Sequence, residues 1–401
     1  MTLYDLACRA FQITSHCLMP LLNWDEPKLL RGPGCVEELP SLIKSLGLRR
    51  VLLVTDPRLM ELGLPGPLLR GLAREGIACI VYDQTQANPT IQNMEEAHAL
   101  YRENACEGII AFGGGSPMDC AKGAGALAVR PRMTIPKLRG LLTVLKRIPP
   151  LFAVPTTAGT GSEATLACVV RDPAAGEKYA INDPLLRPHY AVLDPELTVS
   201  LPPDLTAQTG MDALVHAVEA FIGRSNTKWT RAAALKTVRL VFSNLENAYA
   251  HGGGLEARAA MLEAAYCGGV AFSRAYVGNC HGIAHNLGGM YNVPHGLANA
   301  VVLPYVLDWY GPAARKRLAQ LAEAAGVCEP NTSDAEKAAA FITAIREMNR
   351  RMHIPERFEC IREEDIPLMA KRAVKECNPL YPVPKIMRRA GCETLIRMLQ
   401  S

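Results

Sequence analysis

The chain has 401 residues, of which 49% are hydrophobic and 20% are charged. At about 150 residues per domain this length predicts two or three domains with substantial hydrophobic cores, and the composition is that of a globular protein. The formal net charge of +4 is small for this length, and the lack of a Lys/Arg block argues against a nucleic-acid surface.

Composition also bears on where the protein works. The sequence has no apolar run of about eighteen residues, which predicts that the chain does not span or insert into a membrane. Charged residues such as Asp5 and Arg9 interrupt the N-terminal segment, so a secretory signal is not predicted and a cytoplasmic location is expected. The thirteen cysteines are scattered singly and are expected to be reduced, mostly buried thiols.

Short apolar runs alternate with helical patterns over residues 50–200. The apolar runs are rich in β-forming residues, and helix-forming stretches follow them. Strands that alternate with helices in this way predict a parallel sheet that helices cover on both faces. The predicted strands span residues 50–55, 78–82, 108–112 and 151–154, and the predicted helices lie around residues 65–75 and 91–104 and begin again near Ser116.

The pattern changes near residue 200. The run Leu201-Pro202-Pro203-Asp204 interrupts regular structure, and almost everything after it has helical length and spacing. We therefore predict an N-terminal α/β domain over residues 1–200, beginning with an accessory helix and loop, and an all-helical C-terminal domain over residues 201–401. The predicted C-terminal helices include residues 209–221, 229–250, 255–272 and 334–353.

Two loops rich in small residues follow predicted strands. Gly113-Gly114-Gly115-Ser116 joins the third strand to a helix, where glycine permits close approach of a ligand and the helix start offers N–H groups to a phosphate. Pro155 to Glu163, with three threonines and a serine, follows the fourth strand. Ligands of parallel sheets gather beyond the carboxyl ends of the strands, so both loops are candidates for one nucleotide-binding crevice. Taken alone, each loop is explained equally well as an ordinary turn.

Asp56 stands at the end of the first predicted strand. An acidic side chain at that place can accept hydrogen bonds from a ribose 2′-hydroxyl. Capping of a helix that begins at Pro57 is the ordinary alternative.

Aspartate and histidine residues at ligand-like spacing concentrate in the second half of the chain. Asp212 and His216 are four residues apart in a helical run, as are His281 and His285, so each pair lies on one helix face. His295 follows a turn shortly afterwards. Any single pair is more often an ordinary polar contact, but their joint occurrence indicates a metal site. One carboxylate with several imidazoles suits a divalent ion such as Fe²⁺ or Zn²⁺.

Together these segments resemble the iron-containing (group III) alcohol dehydrogenase family over roughly residues 25–400. The resemblance implies a dinucleotide-binding N-terminal domain and a metal-binding helical C-terminal domain. It also implies an NAD(H)-dependent enzyme, acting as a homodimer, that interconverts a small primary alcohol and its aldehyde by hydride transfer at a metal-bound oxygen. The implied metal is Fe²⁺, with Zn²⁺ as an alternative. The segments that carry the resemblance are residues 113–122, 155–163, 210–216 and 278–295.

The resemblance also implies roles for individual residues. The implied metal ligands are Asp212, His216, His281 and His295. His285 is the candidate catalytic residue, which relays a proton. Phe272 matches an aromatic residue of the substrate pocket, and we also place Cys168 and Cys377 at that pocket. The positions that match NAD-binding residues are Asp56, Asn88, Gly114, Gly115, Ser116, Asp119, Thr157, Thr160 and Lys178.

Two segments depart from the family pattern, and both concern the substrate. The run Glu376 to Pro382 lacks the arginine of the family's Asn-Pro-Arg segment, and residues 164–168 carry small side chains. The sequence therefore leaves the substrate open, along with the direction of the reaction and the choice between iron and zinc. The alternatives are a zinc-dependent polyol or glycerol dehydrogenase, a lyase resembling dehydroquinate synthase, a metal-dependent hydrolase and a non-catalytic assembly protein.

Overall fold

The structure is a computed structural model that describes residues 2–19, 22, 24–175 and 177–401. The chain divides into two compact units, which we call the sheet unit (Asn23–Ser200) and the helical unit (Met1–Leu22 with Leu201–Ser401). The N-terminal helix is predicted from the sequence to belong with the sheet, whereas in the structure it belongs with the C-terminal helices. The assignment of the two units as separate domains stays a prediction.

Fifteen α-helices and nine strands make up the regular structure of the described residues, apart from short 3₁₀ turns. The strands are β1 (Lys28–Arg31), β2 (Arg50–Val54), β3 (Ala78–Tyr82), β4 (Gly108–Gly113), β5 (Gly140–Leu141), β6 (Leu151–Pro155), β7 (Ala167–Asp172), β8 (Glu177–Asn182) and β9 (Tyr190–Leu193). The helices are α1 (Leu3–Leu18), α2 (Leu39–Ser45), α3 (Pro57–Glu61), α4 (Gly66–Arg74), α5 (Ile91–Glu103), α6 (Gly115–Val129), α7 (Pro203–Ile222), α8 (Lys228–Ala250), α9 (Leu255–Ala275), α10 (Asn279–Tyr291), α11 (His295–Tyr310), α12 (Arg315–Ala325), α13 (Asp334–Arg351), α14 (Ile366–Cys377) and α15 (Arg389–Met398).

A six-stranded parallel sheet with the order β1-β9-β6-β4-β2-β3 forms the centre of the sheet unit. Its middle strands are apolar along their length because both faces are covered. Along β2, Leu52 and Val54 belong to the hydrophobic core on one face, whereas Val51 and Leu53 belong to the core on the other. The α/β class and the four strands predicted from the sequence are confirmed.

The register of the central strands sets the positions of the two predicted nucleotide loops. β4 and β6 are hydrogen-bonded neighbours, and Gly113 at the end of β4 is paired with Pro155 at the end of β6. Because parallel strands end at the same edge of a sheet, the loops that follow these two residues begin side by side.

Helix α7 occupies the centre of the helical unit. From Gly210 to Ile222 every residue of this helix is buried, as expected for a helix that neighbours surround. Small residues let those neighbours approach closely: a Cβ atom added to Gly210 would lie 2.2 Å from Leu245 of α8 and 3.0 Å from Met261 of α9. The helical C-terminal part that the sequence predicts is confirmed.

Helix α1 joins the helical unit through hydrogen bonds to the C-terminal segment. Arg9 Nη1 donates to Val383 O at 2.7 Å, and Gln12 Nε2 donates to Tyr381 O at 2.8 Å. The helix buries few side chains and exposes large apolar ones, including Leu3 and Ile13, so these hydrogen bonds contribute to holding it against the C-terminal segment.

Two expectations based on composition concern the whole chain. Among the described residues, no helix is both long enough and apolar enough to cross a membrane. All thirteen cysteines fall within the described residues and are free thiols.

Gly296 provides a test of the packing between α11 and α7. A Cβ atom added there would lie 2.4 Å from the backbone oxygen of Gln208 on α7, and backbone atoms cannot move aside as a side chain can. We expect Gly296→Ala to lower the free energy of unfolding by about 1–3 kcal/mol, measured by urea denaturation. Gly289→Ala is the matched control because a Cβ at this helical position meets nothing within 4 Å. It should be neutral or stabilising by up to about 1 kcal/mol, and equal effects of the two variants would contradict the packing argument.

Candidate metal centre and nucleotide-binding loops

The four predicted metal ligands come together in the helical unit. Asp212 and His216 lie on α7, His281 lies on α10 and His295 is the first residue of α11. One ligand atom from each residue lies within 4.8 Å of all the others. Three of the side chains are buried and His295 is half-buried, so the cluster is open to solvent on the side of His295.

The spacing of these ligand atoms suits a single ion. The Oδ1 atom of Asp212 lies 3.6 Å from Nε2 of His295 and 4.0 Å from Nε2 of His281. Atoms bound about 2.1 Å from a tetrahedral Zn²⁺ lie about 3.4 Å from one another. A carboxylate and three imidazoles also form a donor set that Fe²⁺ and Zn²⁺ both accept. The residues present therefore fit a divalent metal.

Asn299 contacts three of the four predicted ligands. Its Nδ2 atom donates to Asp212 Oδ1 at 2.7 Å and lies 3.2 Å from Nε2 of both His281 and His295. The side chain is completely buried, one helical turn after His295 on α11. Asn299 is not among the residues predicted from the sequence, although its spacing of four residues from His295 is a signal of the same kind as the predicted pairs.

Burial and neighbouring charge set the protonation of the cluster. Burial opposes ionisation of Asp212, but the facing imidazoles, His216 foremost, together with Asn299, lower the pKa of this carboxyl to about 2. Burial lowers the pKa of His281 well below its ordinary value, and neighbouring His216 acts in the same direction. The cluster thus offers an ionised carboxylate and a neutral imidazole, the forms in which these groups bind metals.

Glu219 is a second buried carboxylate beside the cluster that sequence analysis does not select. It is hydrogen-bonded to His281 Nδ1 at 2.7 Å and accepts from the backbone N–H groups of Gly278 and Cys280. Burial raises the pKa of Glu219 to about 7, although the backbone donors oppose this rise. Its sequence signal is the spacing of seven residues from Asp212, which places both on one face of α7.

Phe272 and His285 adjoin the cluster. The ring of Phe272 stacks on the imidazole of His216, with centroids 4.1 Å apart. His285 stacks on His295 at 5.3 Å, and its Nδ1 atom lies 2.6 Å from Oε1 of Glu376. The same Glu376 oxygen accepts a hydrogen bond from the hydroxyl of Tyr381 at 2.9 Å. His285 is therefore held by a carboxylate on α14 whose partnership the sequence pattern does not predict.

Two predicted residues of the substrate pocket, Cys168 and Cys377, are completely buried thiols. Cys168 lies in a hydrophobic core of the sheet unit and donates its S–H to the carbonyl of Asp119 at 3.1 Å. Cys377 packs against Gly282, where an added Cβ would lie 2.3 Å from its sulfur. These surroundings are those of packing residues, and the pocket role of both thiols stays a prediction.

In the sheet unit the two predicted nucleotide loops touch each other. A Cβ atom added to Gly114 would lie 3.3 Å from Thr157, and one added to Gly115 would lie 3.1 Å from Thr160. Gly115 begins α6, so the N–H groups at this helix start lie beside the threonine-rich loop. The arrangement can receive an anionic group such as a phosphate.

Asn88, Ser116 and Lys178 form a connected group beside these loops. Asn88 has a φ of +59°, a left-handed conformation that asparagine adopts more readily than most residues. Its backbone N–H donates to Ser116 Oγ at 3.2 Å, and its side-chain oxygen accepts from Lys178 Nζ at 2.7 Å. Three residues predicted from distant segments of the sequence are thus brought together.

The two predicted acidic residues of this site have structural contacts of their own. Asp56 caps α3, where its Oδ1 atom accepts from the N–H of Leu59 at 3.0 Å. This is the capping arrangement considered above, and a contact with ribose stays a prediction. Asp119 lies on α6, where its carboxylate accepts from Ser162 Oγ at 3.4 Å.

Lys122 ties α6 to the threonine-rich loop and is a further residue that sequence analysis does not select. Its side chain is completely buried. The Nζ atom donates to the oxygen atoms of Ser162, Thr165 and Ala167 at 2.8–2.9 Å. The buried ammonium therefore holds the end of the second loop against the helix that begins in the first.

Family comparisons agree with this geometry. The family described as iron-containing alcohol dehydrogenase matches residues 26–195. The family described as the C-terminal part of Fe-containing alcohol dehydrogenases matches residues 206–399. The two matches together cover most of the chain and fall in the sheet unit and the helical unit respectively.

Individual relatives are similar over almost the whole chain. The 1,3-propanediol dehydrogenase of Klebsiella pneumoniae is 37% identical over 351 residues, which cover 86% of this chain and 90% of that protein. The NAD-dependent methanol dehydrogenase of Bacillus methanolicus is 35% identical over 359 residues, covering 89% and 94%.

Solved structures show the same relationship. A crystal structure of a 1,3-propanediol oxidoreductase superposes with a TM-score of 0.91 at 35% identity, covering 94% of this chain and 99% of that chain. Sulfoacetaldehyde reductase from Bifidobacterium kashiwanohense, solved in complex with NAD⁺, gives a TM-score of 0.85 at 28% identity, covering 95% and 99%. The chain therefore belongs to the iron-containing alcohol dehydrogenase family.

Proposed function

We propose that this alcohol dehydrogenase interconverts a small primary alcohol and its aldehyde with NAD(H) and a divalent metal. The observation that carries the proposal is the convergence of Asp212, His216, His281 and His295 on one point. The paired loops of the sheet unit, with Gly114 beside Thr157, support a nucleotide cofactor.

The chemistry divides between the cofactors and the side chains. When bound, the metal supplies a Lewis acid for the substrate oxygen and NAD⁺ supplies the hydride acceptor. Asp212, His216, His281 and His295 would hold the ion in place. Phe272, stacked on His216, covers one side of the cluster with an apolar surface that limits access of water.

His285 is the proposed group for proton transfer. It lies one helical turn after His281 on α10 and beside His295. Its Nδ1 atom bonds Glu376, which leaves Nε2 as the ring nitrogen available to a substrate or solvent. His285 thus holds or passes the proton that leaves the alcohol, while Glu376 orients the ring.

Small alcohols are the proposed substrate class because the similar proteins are named for 1,3-propanediol and methanol. Iron is the proposed metal, following the family, and zinc is the alternative that the same donor set accepts. A cytoplasmic location and a homodimeric assembly complete the proposal. Size-exclusion chromatography with light scattering tests the dimer.

The cofactor and substrate class are tested by following NADH absorbance with short aldehydes after loading the protein with Fe²⁺ or Zn²⁺. We expect oxidation of NADH with at least one metal. That activity should be lost after chelation, because the chelator removes the proposed Lewis acid. NADPH serves as the comparison nucleotide. Activity that survives complete metal removal would refute the metal-dependent mechanism, and failure to bind NADH would refute the proposed cofactor.

The roles of the two α10 histidines are tested by single alanine variants. His281→Ala should lose metal and activity together because it removes a buried ligand. His285→Ala should keep its metal while kcat falls by about a hundredfold, since it removes only proton transfer. Metal content is measured by elemental analysis and kcat by NADH absorbance. His251→Ala, at an exposed position, is the control and should match the wild type. Loss of metal from His285→Ala would make it a ligand instead of a relay.

Lys122→Met tests the nucleotide loops. The substitution keeps much of the side-chain volume but leaves the buried acceptors of Ser162, Thr165 and Ala167 without their donor. We expect the free energy of unfolding to fall by about 3 kcal/mol and the NADH dissociation constant, from fluorescence titration, to rise about tenfold. Lys137→Met, at an exposed position, should change neither quantity. Unchanged NADH affinity in Lys122→Met would separate this lysine from cofactor binding.

A further inference from the structure

We propose that Glu219 is a positioning residue for the metal centre, which holds the imidazole of His281 in the tautomer and orientation that metal binding needs. This inference rests on the proposed function, since it assigns His281 to a metal. It adds a side chain that is not itself one of the four ligands, and whose carboxylate acts through His281.

Both oxygen atoms of the Glu219 carboxylate form hydrogen bonds with residues at the start of α10. Its Oε2 atom lies 2.7 Å from His281 Nδ1 and accepts from the N–H of Gly278 at 2.8 Å. Its Oε1 atom accepts from the N–H of Cys280 at 2.7 Å. With 3% of Glu219 exposed, water does not compete effectively for these bonds.

The bond to Nδ1 determines which ring nitrogen of His281 is available. A neutral imidazole carries one N–H proton, and a carboxylate at Nδ1 draws that proton to Nδ1. The lone pair then resides on Nε2, the atom that lies 4.0 Å from Asp212 Oδ1 within the cluster. In the other tautomer an N–H would point at the position of the ion, so the carboxylate favours the binding form.

The hydrogen bonds from the backbone at the start of α10 to Glu219 help to fix the position of the His281 ring. Gly278, the residue that precedes α10, has no side chain to cap the helix, and Glu219 supplies the missing acceptor from α7. The first turn of α10 and the ring of His281 are therefore held by one carboxylate. The fit is tight, because a Cβ atom added to Gly278 would lie 2.7 Å from Glu219 Oε1.

Helix α7 carries two metal ligands and the residue that positions a third ligand. Asp212, His216 and Glu219 are separated by four and three residues, so they form one row on the helix. Two members of the row are ligands, and the third supports a ligand on another helix. The relative position of three of the four ligands therefore depends on a single buried helix.

The test compares metal binding in Glu219→Gln and the wild type, using Zn²⁺ competition against a chromophoric chelator and the visible spectrum of the Co²⁺-loaded proteins. Glutamine keeps the size but replaces one acceptor oxygen by an N–H₂ group that cannot accept from a backbone N–H or from Nδ1. We expect Zn²⁺ affinity to fall by about 10- to 100-fold and the Co²⁺ spectrum to change. Glu219→Asp, which keeps a carboxylate, should recover part of the affinity. Glu246→Gln removes an exposed ion pair with Arg351 and should leave both readouts unchanged.

A second variant covers the case in which Glu219→Gln does not fold. Gly278→Ala leaves the Glu219 and His281 side chains intact but displaces the carboxylate through the added Cβ atom. It should weaken Zn²⁺ binding in the same direction and alter the Co²⁺ spectrum. Wild-type affinity and an unchanged spectrum in a folded Glu219→Gln protein would overturn the inference.

The His281→Ala variant distinguishes this inference from the proposed function. If His281→Ala loses Zn²⁺ while Glu219→Gln binds it as the wild type does, only the role of Glu219 is wrong. If His281→Ala itself binds Zn²⁺ with wild-type affinity, the proposed metal centre fails and the inference fails with it.

Discussion

The burial of Asp212 on α7 is the constraint on which the organisation of the helical unit depends. A carboxylate removed from water costs several kcal/mol unless other groups compensate, and α7 is buried along the whole segment around it. Because neighbouring elements surround this segment, no rotation of the helix would bring the side chain to solvent. Compensation must therefore come to Asp212: Asn299 donates a hydrogen bond to it, and a divalent ion that the three imidazoles would hold with it would supply positive charge. The starts of α10 and α11, which carry His281 and His295, are placed where this compensation needs them.

A comparable constraint organises the sheet unit, but there the buried charge is positive. The register that pairs Gly113 with Pro155 brings two loops of small residues together. Loops of this kind have few side-chain contacts of their own, so their conformation needs an anchor. Lys122 provides this anchor, because its buried Nζ atom donates hydrogen bonds to Ser162, Thr165 and Ala167. The cost of burying the ammonium is offset by these acceptors, which also give the loop one preferred conformation.

Local spacing in the sequence predicts the secondary structure and residue pairs within one element, but it does not predict the supporting side-chain partners that come from distant elements. Strand alternation, helical periodicity and the pairs of residues four apart all appear within one element, so the parallel sheet and the Asp212–His216 pair could be predicted. The bond between Glu219 and His281 joins residues 62 apart, and that between Glu376 and His285 joins residues 91 apart. No pattern within one segment specifies such partners. The same limit explains the N-terminal helix, whose bond from Gln12 to Tyr381 spans 369 positions.

The side chains that contact the four ligands favour a metal centre over an ordinary buried ion pair. An ion pair needs only opposite charges in contact, and one histidine would satisfy Asp212. Here each supporting group constrains a different ligand: Glu219 bonds His281, Asn299 bonds Asp212, and Phe272 stacks on His216. Several potential ligand atoms are thus held separately, within 4.8 Å of one another, which a single ion pair does not need. Holding them separately is what a metal site requires, because ligands that are already oriented lose little entropy when the ion binds.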